Sequence, residues 1–221
     1  MHRDDTIVCK EILQYFGTML PSHSHEAKNV LAVINENAGL MDDYILMAQK
    51  GKSLNLERLS SLSATIRKQV VRLNGLITEL RQTAEGIDNN MQEICLVNHA
   101  RQVSELLSKK AAIRSIRFEI CAREEPILIH ARPVLLLHML WVCLDYAMGA
   151  SKQGSQIGLT LEKRTEDAVV LISGIDGLDS ATITTIMPDE QRNAVLLALN
   201  AELKIDENDK TMMLQIRKQH A

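Results

Sequence analysis

The sequence predicts an α+β chain in which a long helical hairpin is followed by an α/β sandwich. Three observations predict it. Apolar residues keep helical spacing through the first part of the chain. From Met91 onward, short alternating runs of strand type interleave with helical runs. Apolar residues make up 46% of the chain and aromatics only 3%, so the core is built from Leu, Ile, Val, Ala and Met, which favours helix packing over a β-sandwich.

The first helix is expected from Thr6 to Gln49, with apolar positions at Val8, Ile12, Phe16, Met19, Val30, Ile34, Met41, Ile45 and Ala48. Gly51-Lys52-Ser53 breaks the pattern, and Lys50 and Lys52 suit a helix C-terminus. A second run follows at Leu59, Leu62, Ile66, Val70, Leu73, Ile77, Leu80, Ala84 and Ile87, in steps of three and four. It stops near Gly86 and Asp88-Asn89-Asn90. Pro21 is expected to kink or restart the first helix, with Ser22 or Ser24 capping the new segment. A lone hairpin of two helices, each about 30 to 45 residues, cannot bury both apolar stripes, so two copies are expected to form a four-helix bundle.

The second region reads as Ile94–Val97 strand, Asn98–Ala112 helix with Val103, Leu106 and Leu107 inward, then strands at Ile116–Ile120 and Ile127–Ile129. Pro133–Met148 is a nearly all-apolar helix, hence buried. Ile157, Leu159 and Leu161 alternate, Ala168–Ser173 is a buried strand, and Gly174–Ser180 is a loop. A helix over Asp189–Leu203 and a strand over Thr211–Arg217 complete the sandwich. The expected domains are 1–90 and 91–221.

The formal charge of −3 gives no bulk attraction to nucleic acid or anionic membrane, and base-stacking aromatics are scarce. Cys9, Cys95, Cys121 and Cys143 form no C-x-x-C pair and read as reduced core cysteines. No leader-like run opens the sequence. No apolar stretch reaches the roughly 18 residues a membrane span needs, since Val134–Met148 is interrupted by His138 and Asp145. A cytoplasmic protein without nucleic-acid or membrane partners is expected.

The chemistry-bearing stretch is Ser24-His25-Glu26-Ala27-Lys28-Asn29, inside the first helical run. An adjacent carboxylate, Glu26, can hold the imidazole tautomer or take its second proton. Asn29 is one turn on, on the same helix face as His25. His23 competes locally, but two residues on a helix are about 200° apart, so both histidines cannot face one partner. Asn at position 29 excludes the H-E-x-x-H zinc pattern. His99, His130, His138 and His220 have no adjacent carboxylate and read as structural or exposed.

A helical hairpin with His25-Glu26-x-x-Asn29 near its start, followed by an α/β sandwich, resembles the core of bacterial sensor histidine kinases across nearly the whole chain. His25-Glu26-Ala27-Lys28-Asn29-Val30-Leu31 is similar to that family's H-E-[LI]-[KR]-[NT]-x-L block, with Ala27 a departure and no Pro after Asn29. Leu136–Ala147 resembles the family's asparagine-box helix, but the two asparagines fall on Val142 and Tyr146. Valine offers no oxygen ligand to magnesium. The D-x-G-x-G segment falls on Ile172–Leu178, with Gly174 where the adenine-reading aspartate stands; a shift of two brings in Asp176 but spoils the glycine spacing. The glycine loop that covers the triphosphate is missing, since Asp189–Asn200 contains no glycine.

The resemblance therefore implies a histidine-kinase-ATPase-like sandwich lacking its nucleotide-binding loops, closest in form to dimeric histidine phosphotransferases of phosphorelays. It implies His25 as phosphoacceptor, Glu26 and Asn29 assisting, and response-regulator receiver domains as partners. Lys28, Val33, Asn37 and Leu40 are the expected docking residues. No cofactor or metal is expected in this chain, the Mg2+ belonging to the receiver. The alternatives are a divergent sensor kinase or response-regulator phosphatase, and a non-catalytic dimeric scaffold.

Overall fold

The computed structural model describes residues 3–85, 91–122 and 125–217. The chain divides into two compact units, Gly17–Glu85 and a second made of Met1–Phe16 with Gly86–Ala221.

Helix α1 runs Arg3–Gln49 and helix α2 Leu56–Glu85. Gly51, with φ +84°, ends α1, its N–H donating to the Ala48 carbonyl at 2.9 Å. Asn55 Oδ1 accepts the Arg58 N–H at 3.0 Å and starts α2. The Arg58 guanidinium lies 5.6 Å from the Tyr44 ring centre, tying the two helices beside the turn. Pro21 does not break the helix as expected, and neither Ser22 nor Ser24 stands at a helix start. A missing hydrogen bond to the Gly17 carbonyl is tolerable where the helix has turns on both sides and buried Met19 and His23 anchor them. The expected stop at Gly86–Asn90, with Ile87 of the seam, lies outside the described residues.

The first turns of α1 pack with the α/β unit rather than with the hairpin. Val8, Glu11 and Tyr15 are buried there. Glu11 Oε2 sits 3.1 Å from His138 Nε2, and the Tyr15 and His138 rings meet edge-on at 5.8 Å. His138, which has no carboxylate near it in sequence, thus has one from 127 residues away. A buried pair of this kind is costly to break, because either group alone is left desolvated.

The α/β unit has two sheets. Strands β1 (Gln92–Cys95) and β3 (Leu128–Ala131) pair antiparallel. Strands β2 (Arg117–Ala122), β4 (Gln156–Lys163), β5 (Asp167–Ser173), β6 (Ala201–Asp206) and β7 (Thr211–Arg217) form a sheet in the order β2-β4-β5-β7-β6. Only β2 and β4 run parallel within it. One face presents Ile157, Leu159 and Leu161 of β4, Val170 and Ile172 of β5, and Met212, Leu214 and Ile216 of β7, all buried. Helices α3 (Leu96–Ile113) and α4 (Pro133–Ala150) supply the other half of the core. The Arg114 guanidinium donates to the Met148 and Ser151 carbonyls and closes the end of α4.

Helix α4 is 18 residues with mean hydropathy 1.5, so by length and composition it matches a membrane span, contrary to the reading that His138 and Asp145 interrupt it. It is 78% buried inside the α/β unit, which accounts for its apolarity as a core helix. Two short helices, α5 (Ser180–Ile186) and α6 (Asp189–Ala198), fill the stretch before β6. The helix expected over Asp189–Leu203 ends at Ala198, because Asn200 takes φ +51° and turns the chain into β6. The strand expected over Ile94–Val97 sits two residues earlier, and Leu96 already begins α3. Of the four cysteines only Cys143 is fully buried, its thiol pushed up to about 12 by burial, while Cys9 and Cys121 are exposed.

Candidate functional site

In the hairpin, His25 is exposed on α1 and His23 is buried. That separates the two histidines. His23 Nδ1 lies 3.2 Å from the Met19 carbonyl, which can only accept. Its Nε2 lies 3.4 Å from a Glu79 carboxylate oxygen on α2. Both ring nitrogens therefore face acceptors, an arrangement that favours the protonated ring. Its pKa is raised, foremost by the hydrogen bond to Glu79, then by the Met19 carbonyl and the charges of Glu79 and Glu26, against the opposing effect of burial. A ring buried with both nitrogens facing groups of its own hairpin presents neither to an incoming partner.

This pair makes the hairpin pH-sensitive in a defined direction. A histidine whose folded pKa is raised stabilises the fold below its unfolded value and loses that contribution as pH rises through the folded value. The wild-type protein is expected to melt at lower temperature at pH 9 than at pH 6. His23→Gln should flatten that dependence, as read by helical circular dichroism during heating.

Glu26 is half-buried and pairs with the Arg72 guanidinium of α2. The carboxylate beside His25 is therefore engaged across the hairpin. Arg72 carries no sequence signal of its own, because a lone arginine on a helix face reads as solvated surface. Asn29 and Lys28 are exposed on the next turn. Of the expected docking residues, Val33 and Asn37 are half-buried and Leu40 is 42% exposed. The Asn37 amide donates to the Val33 carbonyl at 2.7 Å, so these two are bound into one turn.

In the α/β unit, the positions that the resemblance aligns with nucleotide ligands are buried or bonded within the unit. Val142 and Tyr146 are buried in α4. The Tyr146 hydroxyl donates to the Asp179 carbonyl at 2.7 Å and accepts the Asp179 N–H at 2.8 Å. Asp179 in turn caps α5, accepting from the Thr182 hydroxyl at 2.7 Å and the Ala181 N–H at 3.0 Å, and those bonds hold its carboxyl below the usual range.

Gly174 has φ +80°, and a Cβ there would lie 2.3 Å from the Gln156 carbonyl oxygen. No side chain fits at that position, aspartate included. Asp176, the alternative under the shifted register, accepts the Lys152 N–H and the Ser155 hydroxyl, each at 2.8 Å. Those bonds, the Lys152 backbone foremost, lower its pKa. Its carboxylate thus ties two loops together. The segment that would carry a triphosphate loop is helical in α6.

Among the remaining histidines, His99 Nδ1 lies 3.0 Å from the Cys95 carbonyl, and burial lowers its pKa. His130 lies 3.9 Å from Glu93. His220 is outside the described residues. Among the described residues, no three of His, Cys, Asp and Glu gather as a metal-ligand set.

No protein-family profile matches the chain, and no curated protein sequence matches it. Solved structures do. The catalytic domain of histidine kinase ThkA, in a nucleotide-free form, is 17% identical with a TM-score of 0.50, covering 59% of this chain and 99% of that one. Full-length ShkA in complex with AMPPNP is 13% identical with a TM-score of 0.50 over 88% of this chain. This chain matches 47% of that protein's length. Acinetobacter baumannii histidine kinase AdeS is 13% identical over 89% of this chain and 98% of that one, with a TM-score of 0.49. The likeness is one of fold: this chain is an α+β protein with a helical hairpin and a histidine-kinase-catalytic-domain-like α/β sandwich.

Proposed function

We propose that this chain is a histidine phosphotransferase of bacterial two-component phosphorelays, passing phosphoryl groups between receiver-domain aspartates through His25 without spending ATP itself. The observation that carries the reading is a contrast. His25 is exposed on its helix, while the aligned nucleotide positions are closed by the Tyr146–Asp179 bonds and by the absence of room at Gly174.

A neutral imidazole nitrogen of His25 attacks the phosphorus of a receiver's aspartyl phosphate. The N–P bond forms, the P–O bond breaks, and the aspartate leaves as carboxylate. The same step in reverse loads a second receiver. Positioning supplies most of the catalysis, because phosphoryl transfer needs little covalent activation. The Mg2+ is the receiver's. Asn29 orients the phosphoryl group or a water, Lys28 offers charge to it, and Val33, Asn37 and Leu40 meet the receiver.

The homodimer belongs to the same reading. Within the hairpin unit, Met19 and Val30 are the fully buried apolar residues among those described. Leu31, Ile45, Val70 and Ile77 stay 43–55% exposed. Two copies forming a four-helix bundle would cover them. The protein acts in the cytoplasm, apart from membrane and nucleic acid.

A screen of phosphorylated receivers from the same genome tests the proposal. Transfer of label to His25, with none from ATP alone, is the expected result. Direct labelling from ATP would make the chain a divergent histidine kinase. Loss of receiver phosphate with no labelled histidine would make it a phosphatase. Silence across all receivers would leave a dimeric scaffold.

A further inference from the structure

We infer that Arg72 is a positioning residue for the chemistry at His25, restraining the Glu26 carboxylate against α2; the inference rests on His25 as the phosphoryl acceptor. Four ionisable groups meet across the hairpin. His23 faces Glu79, Glu26 pairs with Arg72, and the charge of Glu26 also acts on His23. Positions 23 and 26 lie about 60° apart around α1, so both point at α2. Arg72 and Glu79 are two turns apart on α2, so they share the face that looks back. His25 is about 100° from Glu26 around the axis and exposed.

The Glu26 side chain is only 14% exposed, drawn into this network, whereas the Arg72 side chain is 58% exposed. A carboxylate turned to α2 is turned from the solvent side, where the His25 ring stands. Arg72 is the most exposed member of the network, ahead of Glu79 at 36%. An incoming phosphoryl group or a receiver carboxylate can therefore compete for its guanidinium, since Arg pairs with both in two-pronged fashion. Release of Glu26 then lets the carboxylate take the ring's second N–H proton as the other nitrogen attacks phosphorus. Arg72 acts on the transfer step through Glu26, and its effect is expected to vanish where Glu26 cannot take a proton.

Phosphoramidate tests this without any receiver. The His25 nitrogen forms a bond to phosphorus, the P–N bond of the reagent breaks, and ammonia leaves. The initial rate of His25 labelling is measured against pH for the full chain. Arg72→Ala is expected to speed labelling at least about threefold, well short of the ~10²–10⁴-fold that general acid–base catalysis typically contributes, and to displace the acidic limb of the pH–rate profile. Arg72→Lys, which keeps the charge, should return both toward wild type. In a Glu26→Gln background, Arg72→Ala should have no effect.

Arg72 is largely exposed, so the variants are expected to fold; Arg72→Gln provides a second neutral replacement, and circular dichroism checks each. Equal rates in wild type, Arg72→Ala and Arg72→Gln would overturn the inference. So would the same acceleration in the Glu26→Gln background, or no labelling of His25 in any variant. A silent receiver screen beside a Glu26-dependent Arg72 effect would sink the phosphotransferase reading alone.

Discussion

Replacing His25 by alanine is expected to abolish acceptance of phosphoryl label from a phosphorylated receiver, with folding unchanged. The loss should be complete to the detection limit, because the side chain is the nucleophile and no neighbour can substitute. His23, the one imidazole nearby in sequence, is buried with Nδ1 on the Met19 carbonyl and Nε2 on Glu79. His25 is exposed, so its truncation should change stability by less than about 0.5 kcal/mol. The measurement pairs a phosphotransfer assay with thermal melts of wild type, His25→Ala and His23→Gln. His23→Gln should still take label, while its melt loses pH dependence. Label retained in His25→Ala and lost in His23→Gln would reverse the assignment.

Gly174→Asp is the second large effect, and it looks like a repair. Placing at this position the aspartate that the resemblance to histidine kinases puts there is expected to damage the fold. The backbone there has φ +80°, which costs a non-glycine residue about 1–3 kcal/mol. The new Cβ would sit 2.3 Å from the Gln156 carbonyl oxygen, so backbone must also shift, at about 1–3 kcal/mol more. Together these predict a loss of a few kcal/mol in urea unfolding. Gly174→Ala should lose most of the same amount, because the strain begins at Cβ. A Gly174→Asp protein of wild-type stability would show that the loop can relax and would overturn the prediction.

Much of the fold was legible because its signals are local. The α2 seam steps by three and four over 30 residues, and α4 is apolar on every side, so both are plain from composition and spacing. Strand β6 was not legible. Ala201-Glu202-Leu203-Lys204 carries ordinary helix formers, and the strand exists because Asn200 reverses the chain and β7 supplies its hydrogen-bonding partner. Pro21 misled for the converse reason: one lost backbone bond is outweighed by the packing of the turns around it.

At the candidate site, His25 stood out through its neighbours in sequence. Its surroundings did not. Arg72 and Glu79 lie about 50 residues further on, and only the antiparallel hairpin returns them to α1. Glu11 and His138 meet for the same kind of reason, through a packing that no short motif announces. Exposure also had to come from the structure, since periodicity alone does not say which of His23 and His25 the second helix covers.

The Tyr146 hydroxyl has a thermodynamic consequence. A small molecule that binds only the folded form adds stability in step with the logarithm of its concentration, and the fold then registers how much of it is present. The partner of the Asp179 backbone is instead a phenol carried on α4, covalently part of the chain, whose supply dilution cannot alter. The bond between α4 and the chain entering α5 is therefore made at an effective concentration that is fixed by the fold itself.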